Sequence, residues 1–302
     1  MQSTWQNMSK EISESVARAG QAVVAVDGRS GHTSSGLLWR PNLVLTASHT
    51  IRQGGEITII SRPGHSVRAQ LAGRASGADI ALLRVDQEIA QDCADFGPTT
   101  SLAIGEFVVA IARTRRGNIV ASSGILSGLM GEWLFGRTRI DQFIRPDLTL
   151  YPGFSGGALI GADGKILGMT TGGLARGKPI AIPASTLTRI ADELSQRGHI
   201  GTPYIGLVMQ PVQIPDSLQQ KSAVTAGSGL LVMHVEAGGP ADTAGVLLGD
   251  VLVHLDGRSF DDLDDLHDVL RQFGIDQNVK ATLIRGGQSV QLIIKIGERP
   301  LR

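Results

Sequence analysis

Short apolar runs divided by Gly, Pro, Ser and Asn recur over the first two thirds of the chain. Such runs are typical of strands, and their spacing indicates an antiparallel barrel or sandwich. We predict two sets of six strands that form a mainly β double barrel. The first set covers 21–26, 36–39, 43–45, 56–60, 67–71 and 80–85, and the second covers 107–111, 119–128, 139–144, 158–160, 166–171 and 178–182.

The length of 302 residues is long for one ordinary domain and suits two. The Gly- and Pro-containing stretch 198–203 is typical of a linker. We therefore predict a first domain over residues 1–200 and a second over 203–302. Helical spacing is expected in three segments, 9–18, 184–197 and 263–273.

Composition excludes several classes of protein. The 28 basic and 28 acidic residues give zero net charge, so no nucleic-acid partner is expected. The single cysteine, Cys93, rules out an intramolecular disulfide, and its acidic neighbours Asp92 and Asp95 favour a high thiol pKa and a structural role. The seven histidines lack metal-ligand spacing, so neither a metal nor another cofactor is expected.

The first residues, 1–20, contain Glu11 and Glu14 and no apolar run, so they do not resemble a signal peptide. No stretch approaches the length of a membrane span. The expected compartment is the cytoplasm by default, or the periplasm if a leader is missing from the sequence.

One serine, Ser155, stands between two glycine-bearing turns in Tyr151-Pro-Gly-Phe-Ser-Gly-Gly-Ala158. A serine nucleophile needs two backbone N–H groups that stabilise the oxyanion of a tetrahedral intermediate. We expect the N–H groups of Gly153 and Ser155 to form this oxyanion hole. Gly- and Ser-rich turns are also common in β proteins without any catalytic role.

Two upstream segments favour the catalytic interpretation. An apolar strand ends at His49, and Asp79 opens another apolar strand. A serine hydroxyl needs an imidazole to take its proton, and the imidazole needs a carboxylate to fix its tautomer. The order His49, Asp79, Ser155 is that of the chymotrypsin-type double barrel. An α/β-hydrolase elbow is excluded, because it needs a helix after the serine, whereas 158–169 is typical of a β-hairpin.

Together these motifs resemble the HtrA/Deg family of serine proteases. The matching segments are 44–49, 79–83, 147–158 and 181–183, and 239–250 resembles PDZ domains. The resemblance implies a chymotrypsin-like double six-stranded β-barrel followed by an α+β PDZ domain. It also implies an ATP-independent serine endopeptidase that cleaves unfolded or misfolded proteins, and a homotrimer in which Trp5 is a candidate contact.

The chain departs from the family beside the serine. Relatives usually have Asn at the positions of Tyr151 and Phe154. Proteases activated by zymogen cleavage carry Asp before the serine, and Phe154 cannot form that ion pair, so we expect control by loop ordering. Leu150 aligns with the base of the S1 pocket, where it favours small or medium aliphatic P1 residues, unless it is ordinary core.

Two surface predictions concern the second set of strands. Trp133, Leu134 and Phe135 lie where the family keeps a sensor loop, and they either form a sticky surface patch or fold back onto the barrel. Arg113 belongs to a basic segment, 113–116, that we interpret as a solvated turn.

In the second domain, residues 204–207 resemble a carboxylate-binding loop that holds a peptide C-terminus, with the peptide added as a strand beside the helix. Leu266 and Leu270 either line the apolar pocket for its last side chain or form the core stripe of the helix. The expected peptide-binding residues are Tyr204, Ile205, Gly206, Leu207, Leu266 and Leu270.

Two other functions remain open from sequence. One is a proteolytically silent peptide-binding or chaperone module, for which the departures at Tyr151 and Phe154 argue. The other is an esterase-like hydrolase without a protein substrate.

Overall fold

A computed structural model of the chain describes residues 3–29, 32–52, 54–135, 138–175 and 177–299. The chain divides into two compact units, residues 1–200 and 201–302. None of the helices in the described ranges has the length and apolar character that a membrane span requires.

The first unit begins with a helix and a closed six-stranded barrel. Helix α1, Thr4–Ala19, starts at Ser3, whose side chain accepts the N–H of Gln6 in a capping box. The strands pair in the order β1-β2-β3-β6-β5-β4 around a core that includes Val44 and Leu83. Their bounds are β1 Val23–Arg29, β2 His32–Arg40, β3 Leu43–Ala47, β4 Ile57–Arg62, β5 His65–Ala75 and β6 Ile80–Val85.

A second closed barrel follows, so the predicted double six-stranded β-barrel is confirmed. Its strands pair in the order β11-β14-β13-β12-β7-β8, while β9 and β10 form a separate hairpin. Their bounds are β7 Phe107–Arg113, β8 Ile119–Met130, β9 Trp133–Phe135, β10 Thr138–Ile140, β11 Phe143–Asp147, β12 Ala158–Ile160, β13 Ile166–Thr171 and β14 Ile180–Pro183.

The prediction of a single strand over 139–144 is wrong, because residues 141–142 leave the extended conformation and separate β10 from β11. The backbone N–H of Asp141 donates to Thr186 Oγ1 at 2.9 Å, and its carboxylate pairs with Arg139 and Arg189. Burial acts to raise the pKa of Asp141, but the charge of Arg189 and the other polar contacts hold it below its usual range. These contacts replace the strand ladder at this point.

Helix α2, Ala184–Arg197, packs against strands of both barrels. Its apolar side chains Leu187, Ile190 and Leu194 are buried, as the 3.6-residue spacing requires. The helix ends at Gly198 in the left-handed conformation, with φ 76°, which is a common helix C-terminus. This helix joins the two barrels into one unit.

The interpretation of Arg113 as part of a solvated turn is wrong. Arg113 is 6% exposed, and its guanidinium donates to the backbone oxygens of Gly20, Val23 and Gly117. Burial lowers the pKa of this guanidinium. The sequence pattern did not indicate this, because two of the three carbonyl groups, those of Gly20 and Val23, are about 90 residues away.

Replacing Arg113 by Met is expected to lower the free energy of unfolding of the first unit by about 3 kcal/mol, because three buried carbonyl oxygens lose their donors. Urea unfolding of the full chain measures the change. The matched control is Arg116→Met in the turn that follows β7, where the side chain is exposed, and the expected change is below about 0.5 kcal/mol. Equal effects at both positions would contradict a structural role for Arg113.

The second unit contains a sheet in the order β16-β17-β18-β20-β21, with β19 beside β18, and a separate β15–β22 pair. Its edge strand β16 and the helix α3 were not predicted, and α5 ends before the predicted residue 273. The elements are β15 Pro203–Tyr204, β16 Leu207–Gln213, α3 Asp216–Ser222, β17 Ser228–Val235, α4 Pro240–Thr243, β18 Val251–Leu255, β19 Arg258–Ser259, α5 Leu263–Leu270, β20 Asn278–Arg285, β21 Gln288–Lys295 and β22 Gly297–Glu298.

A buried ion pair fixes one end of this sheet. Asp250 is 1% exposed and accepts two hydrogen bonds from Arg285, at 2.8 and 2.7 Å. It also accepts the backbone N–H of Leu247. The carboxylate therefore ties β20 to the loop before β18.

Candidate active site

His49 and Asp79 form a hydrogen-bonded pair at the ends of two neighbouring strands. His49 lies in the 3₁₀ turn that follows β3, and Asp79 directly precedes β6, with a left-handed backbone of φ 55°. Asp79 Oδ1 accepts the backbone N–H of His49 at 2.9 Å, and Oδ2 lies 2.8 Å from His49 Nδ1. Because a carboxylate only accepts, Nδ1 carries the proton, and in the neutral ring Nε2 is left as an acceptor.

Two residues that hold this pair in place, Thr171 and Gly173, were not predicted from the sequence. Thr171 Oγ1 donates to Asp79 Oδ2 and accepts the backbone N–H of Gly173 at 2.8 Å. A Cβ atom at Gly173 would lie 2.6 Å from both Asp79 Oδ2 and His49 Nδ1. Any side chain there would displace the pair. The available signal was their position at the end of β13, after the apolar run.

The turn that carries Ser155 leaves two backbone donors free. Phe154 N donates to Tyr151 O at 3.1 Å, and Gly153 has φ 97°, which type II turns require at their third residue. Within the described ranges, the N–H groups of Gly153 and Ser155 donate to no protein acceptor, whereas those of 154, 156 and 157 do. Gly153 and Ser155 are both half-buried, so these two N–H groups are available for a ligand oxygen.

The Ser155 hydroxyl does not yet contact the imidazole. Ser155 Oγ accepts the backbone N–H of Gly172 at 3.4 Å, and among the described residues no hydrogen bond joins it to His49. Gly172 precedes Gly173, which lies against the His49–Asp79 pair. Catalytic hydrogen bonds are often long before substrate binds, so this geometry is compatible with a base that takes the serine proton.

Phe154 anchors the serine turn in the core of the second barrel. Its side chain is 3% exposed and belongs to the cluster that contains Ile144 and Leu159. Tyr151 is 58% exposed, with its ring centroid 5.9 Å from that of Phe154. Leu150 is half-buried and packs against the same cluster. An apolar side chain thus occupies the position where cleavage-activated proteases have an aspartate.

Replacing Phe154 by Ala is expected to lower the free energy of unfolding by about 3 kcal/mol, because a large buried ring is lost. We also expect a turnover at least about tenfold lower, since the serine turn loses its anchor. Chemical unfolding and steady-state kinetics measure both effects. The matched variant Phe154→Leu keeps a large apolar side chain, so we expect it to retain most of the stability and most of the turnover. Full turnover in a destabilised Phe154→Ala variant would contradict the anchoring role.

The aromatic segment after β8 folds back only in part. Trp133 is half-buried, with ring centroids 6.0 Å from Phe135 and 5.3 Å from Phe143. Leu134 is 43% exposed. Trp133 and Phe135 therefore fold back onto the barrel, as one of the two alternatives predicted. Of these three residues, only Leu134 faces outward, so they do not form a surface patch.

In the described ranges, no group of three or more His, Cys, Asp or Glu side chains could hold an ion. Cys93 is half-buried, and burial together with Asp92 raises its thiol pKa.

In the second unit, helix α5 packs beside the edge strand β16. Ile205 is buried, Gly206 has φ 78°, and Leu207 begins β16. Leu266 and Leu270 are 2% and 5% exposed and belong to the core of the unit. Tyr204 lies in β15, with its ring 5.8 Å from the guanidinium carbon of Arg299.

Comparison with known proteins gives two domain matches and relatives that match almost the whole of this chain. Residues 34–169 match the family model of the trypsin-like peptidase domain, and 203–296 match that of the PDZ domain. The Do-like serine protease HtrA of Bacillus subtilis is 28% identical, over 97% of this chain and 69% of its own length. The Do-like HtrA of Lactococcus lactis is 26% identical, over 97% of this chain and 84% of its own length.

A solved structure matches both units. The crystal structure of a serine endoprotease from Yersinia pestis has a TM-score of 0.67 and 25% identity, and the match covers 95% of this chain and 98% of that one. These matches agree with the motifs around His49, Asp79 and Ser155 and with the two closed barrels. The chain belongs to the HtrA family of serine proteases, with a trypsin-like peptidase domain followed by a PDZ domain.

Proposed function

We propose that Ser155, His49 and Asp79 are the catalytic residues of an ATP-independent endopeptidase that cleaves unfolded polypeptides. One observation carries the assignment of the site. A buried carboxylate orients an imidazole close to a serine turn whose two unpaired N–H groups are those of Gly153 and Ser155.

The proposed reaction begins when His49 Nε2 takes the Ser155 proton and Ser155 Oγ attacks the scissile carbonyl carbon. The oxyanion accepts the N–H groups of Gly153 and Ser155. The imidazolium, stabilised by Asp79, then protonates the leaving amine, and an acyl-enzyme remains on Ser155. A water molecule, deprotonated by His49, hydrolyses this ester.

Substrate selection is proposed to use both units. Leu150, beside the serine turn, would favour aliphatic P1 residues. In the PDZ domain, the loop 204–207 and the free edge of β16 would bind a peptide C-terminus as an added strand. Trp5 is 76% exposed on α1, which supports the proposed trimer contact.

Digestion of unfolded β-casein by the wild-type chain and by Ser155→Ala tests this function. We expect cleavage by the wild type alone, with products that end in aliphatic residues. If neither chain cleaves casein, even with an apolar C-terminal peptide present, the silent binding module is the better explanation. Hydrolysis of small esters without casein cleavage would favour the esterase.

A further inference from the structure

Ser35, on strand β2 of the first barrel, contacts two carbonyl groups of the serine turn in the second barrel. Its backbone N–H donates to the Ser155 carbonyl oxygen at 2.9 Å, and its hydroxyl donates to the Gly153 carbonyl oxygen at 2.8 Å. Ser35 is 0% exposed, so these hydrogen bonds are shielded from water. The two contacted residues are the same two whose N–H groups are unpaired.

The direction of the Ser35 hydroxyl is fixed by its surroundings. Its oxygen accepts the backbone N–H of Arg113 at 3.0 Å, so its single proton is left to point at the Gly153 carbonyl. The Ser35 backbone is fixed as well, because Thr46 Oγ1 donates to the Ser35 carbonyl oxygen at 2.6 Å. The hydroxyl therefore holds the Gly153 carbonyl in one orientation.

The N–H and C=O of one residue are linked only through its φ and ψ angles. Holding the Gly153 carbonyl fixes the peptide plane between Gly153 and Phe154, and holding the Ser155 carbonyl fixes the plane between Ser155 and Gly156. Each fixed plane adjoins the plane that carries an oxyanion-binding N–H, so that N–H can turn only through the φ and ψ angles of a single residue. We infer that Ser35 is a positioning residue, which orients the oxyanion-binding N–H pair from the opposite barrel. This inference rests on the proposed function of Ser155.

Ser35→Ala removes the hydroxyl and keeps the backbone contact to Ser155. We expect kcat to fall about ten- to hundredfold, less than the loss of a direct oxyanion donor, while KM stays within about twofold. The inhibition constant of a peptide boronate, which forms a tetrahedral adduct, should rise by the same factor as kcat falls. Ser35→Cys, which is somewhat larger and carries a weaker donor, should give an intermediate kcat.

The matched control is Ile59→Val, which removes one buried methyl group from the core of the first barrel. Ile59 lies on β4, which does not pair with β2. It should lower the melting temperature and leave kcat and the boronate constant near wild type. A kcat within about twofold of wild type in Ser35→Ala would overturn the inference, as would parallel losses in Ile59→Val.

Two further outcomes separate this inference from the proposed function. If Ser35→Ala fails to fold, Ser35→Cys decides, since a wild-type kcat in that variant at equal stability overturns the inference. If the wild type itself cleaves no substrate, the proposed function fails and the inference fails with it.

Discussion

Ser155→Ala is expected to lower the turnover of a peptide substrate by about 10⁶-fold, as removal of the nucleophile does in a serine protease of a different fold. The reason is chemical, because no acyl-enzyme can form without the hydroxyl. The loss should not reflect misfolding, since the only hydrogen bond of Ser155 Oγ in the described ranges is the 3.4 Å contact from Gly172 N. Single-turnover and steady-state cleavage of an unfolded peptide measure the effect.

Unfolding of the Ser155→Ala chain provides the control. The free energy of unfolding should match that of the wild type within about 0.5 kcal/mol. Peptide affinity of the PDZ domain should also be unchanged. Residual turnover above about a thousandth of the wild-type value would mean that another residue supplies the nucleophile.

Asp79→Asn is expected to lower turnover by about 10⁴-fold, the loss seen when the corresponding carboxylate of a related protease is replaced. An amide can donate to His49 Nδ1, which then becomes an acceptor and places the proton on Nε2. The imidazole would keep its position but could no longer take the serine proton. The amide N–H of the new side chain would also point at the Thr171 hydroxyl, which donates to Asp79 Oδ2 in the wild type, so two donors would face each other.

A control substitution at another aspartate separates the loss of the catalytic carboxylate from the loss of one negative charge. Asp95→Asn removes a carboxylate that is paired with Lys165 and 71% exposed, and turnover should stay within about twofold of wild type. The KM of Asp79→Asn should change little, because Asp79 is buried and its carboxylate is hydrogen-bonded to His49 and Thr171. A turnover loss below about tenfold in Asp79→Asn would contradict its role in fixing the tautomer.

The two barrels could be predicted because each strand and turn is determined by residues that are close together in the sequence. Apolar runs and turn residues set the strands, and strand ends carry His49 and Asp79 to one place. The error at 139–144 arose from a side-chain contact, since Thr186 on α2 holds Asp141 out of the ladder. Buried Arg113 escaped prediction for the same reason, as its acceptors lie in separate segments.

The positioning residues of the site were invisible to pattern analysis. Thr171 is 92 residues from Asp79, and Ser35 is 118 residues from Gly153. Serine and threonine are common in strands, and nothing nearby in sequence marks these hydroxyls as donors to distant groups. Leu266 and Leu270 illustrate the opposite case, because the helical spacing that suggests a pocket is also the spacing of a core stripe.

Reaction with an aryl or alkyl fluorophosphonate, followed by peptide mass mapping, tests most directly whether Ser155 is an activated nucleophile. We predict one adduct for each chain, located on Ser155 and nearly abolished in His49→Ala. An unmodified Ser155 in a preparation that cleaves casein, or equal labelling in His49→Ala, would contradict the proposed catalytic site.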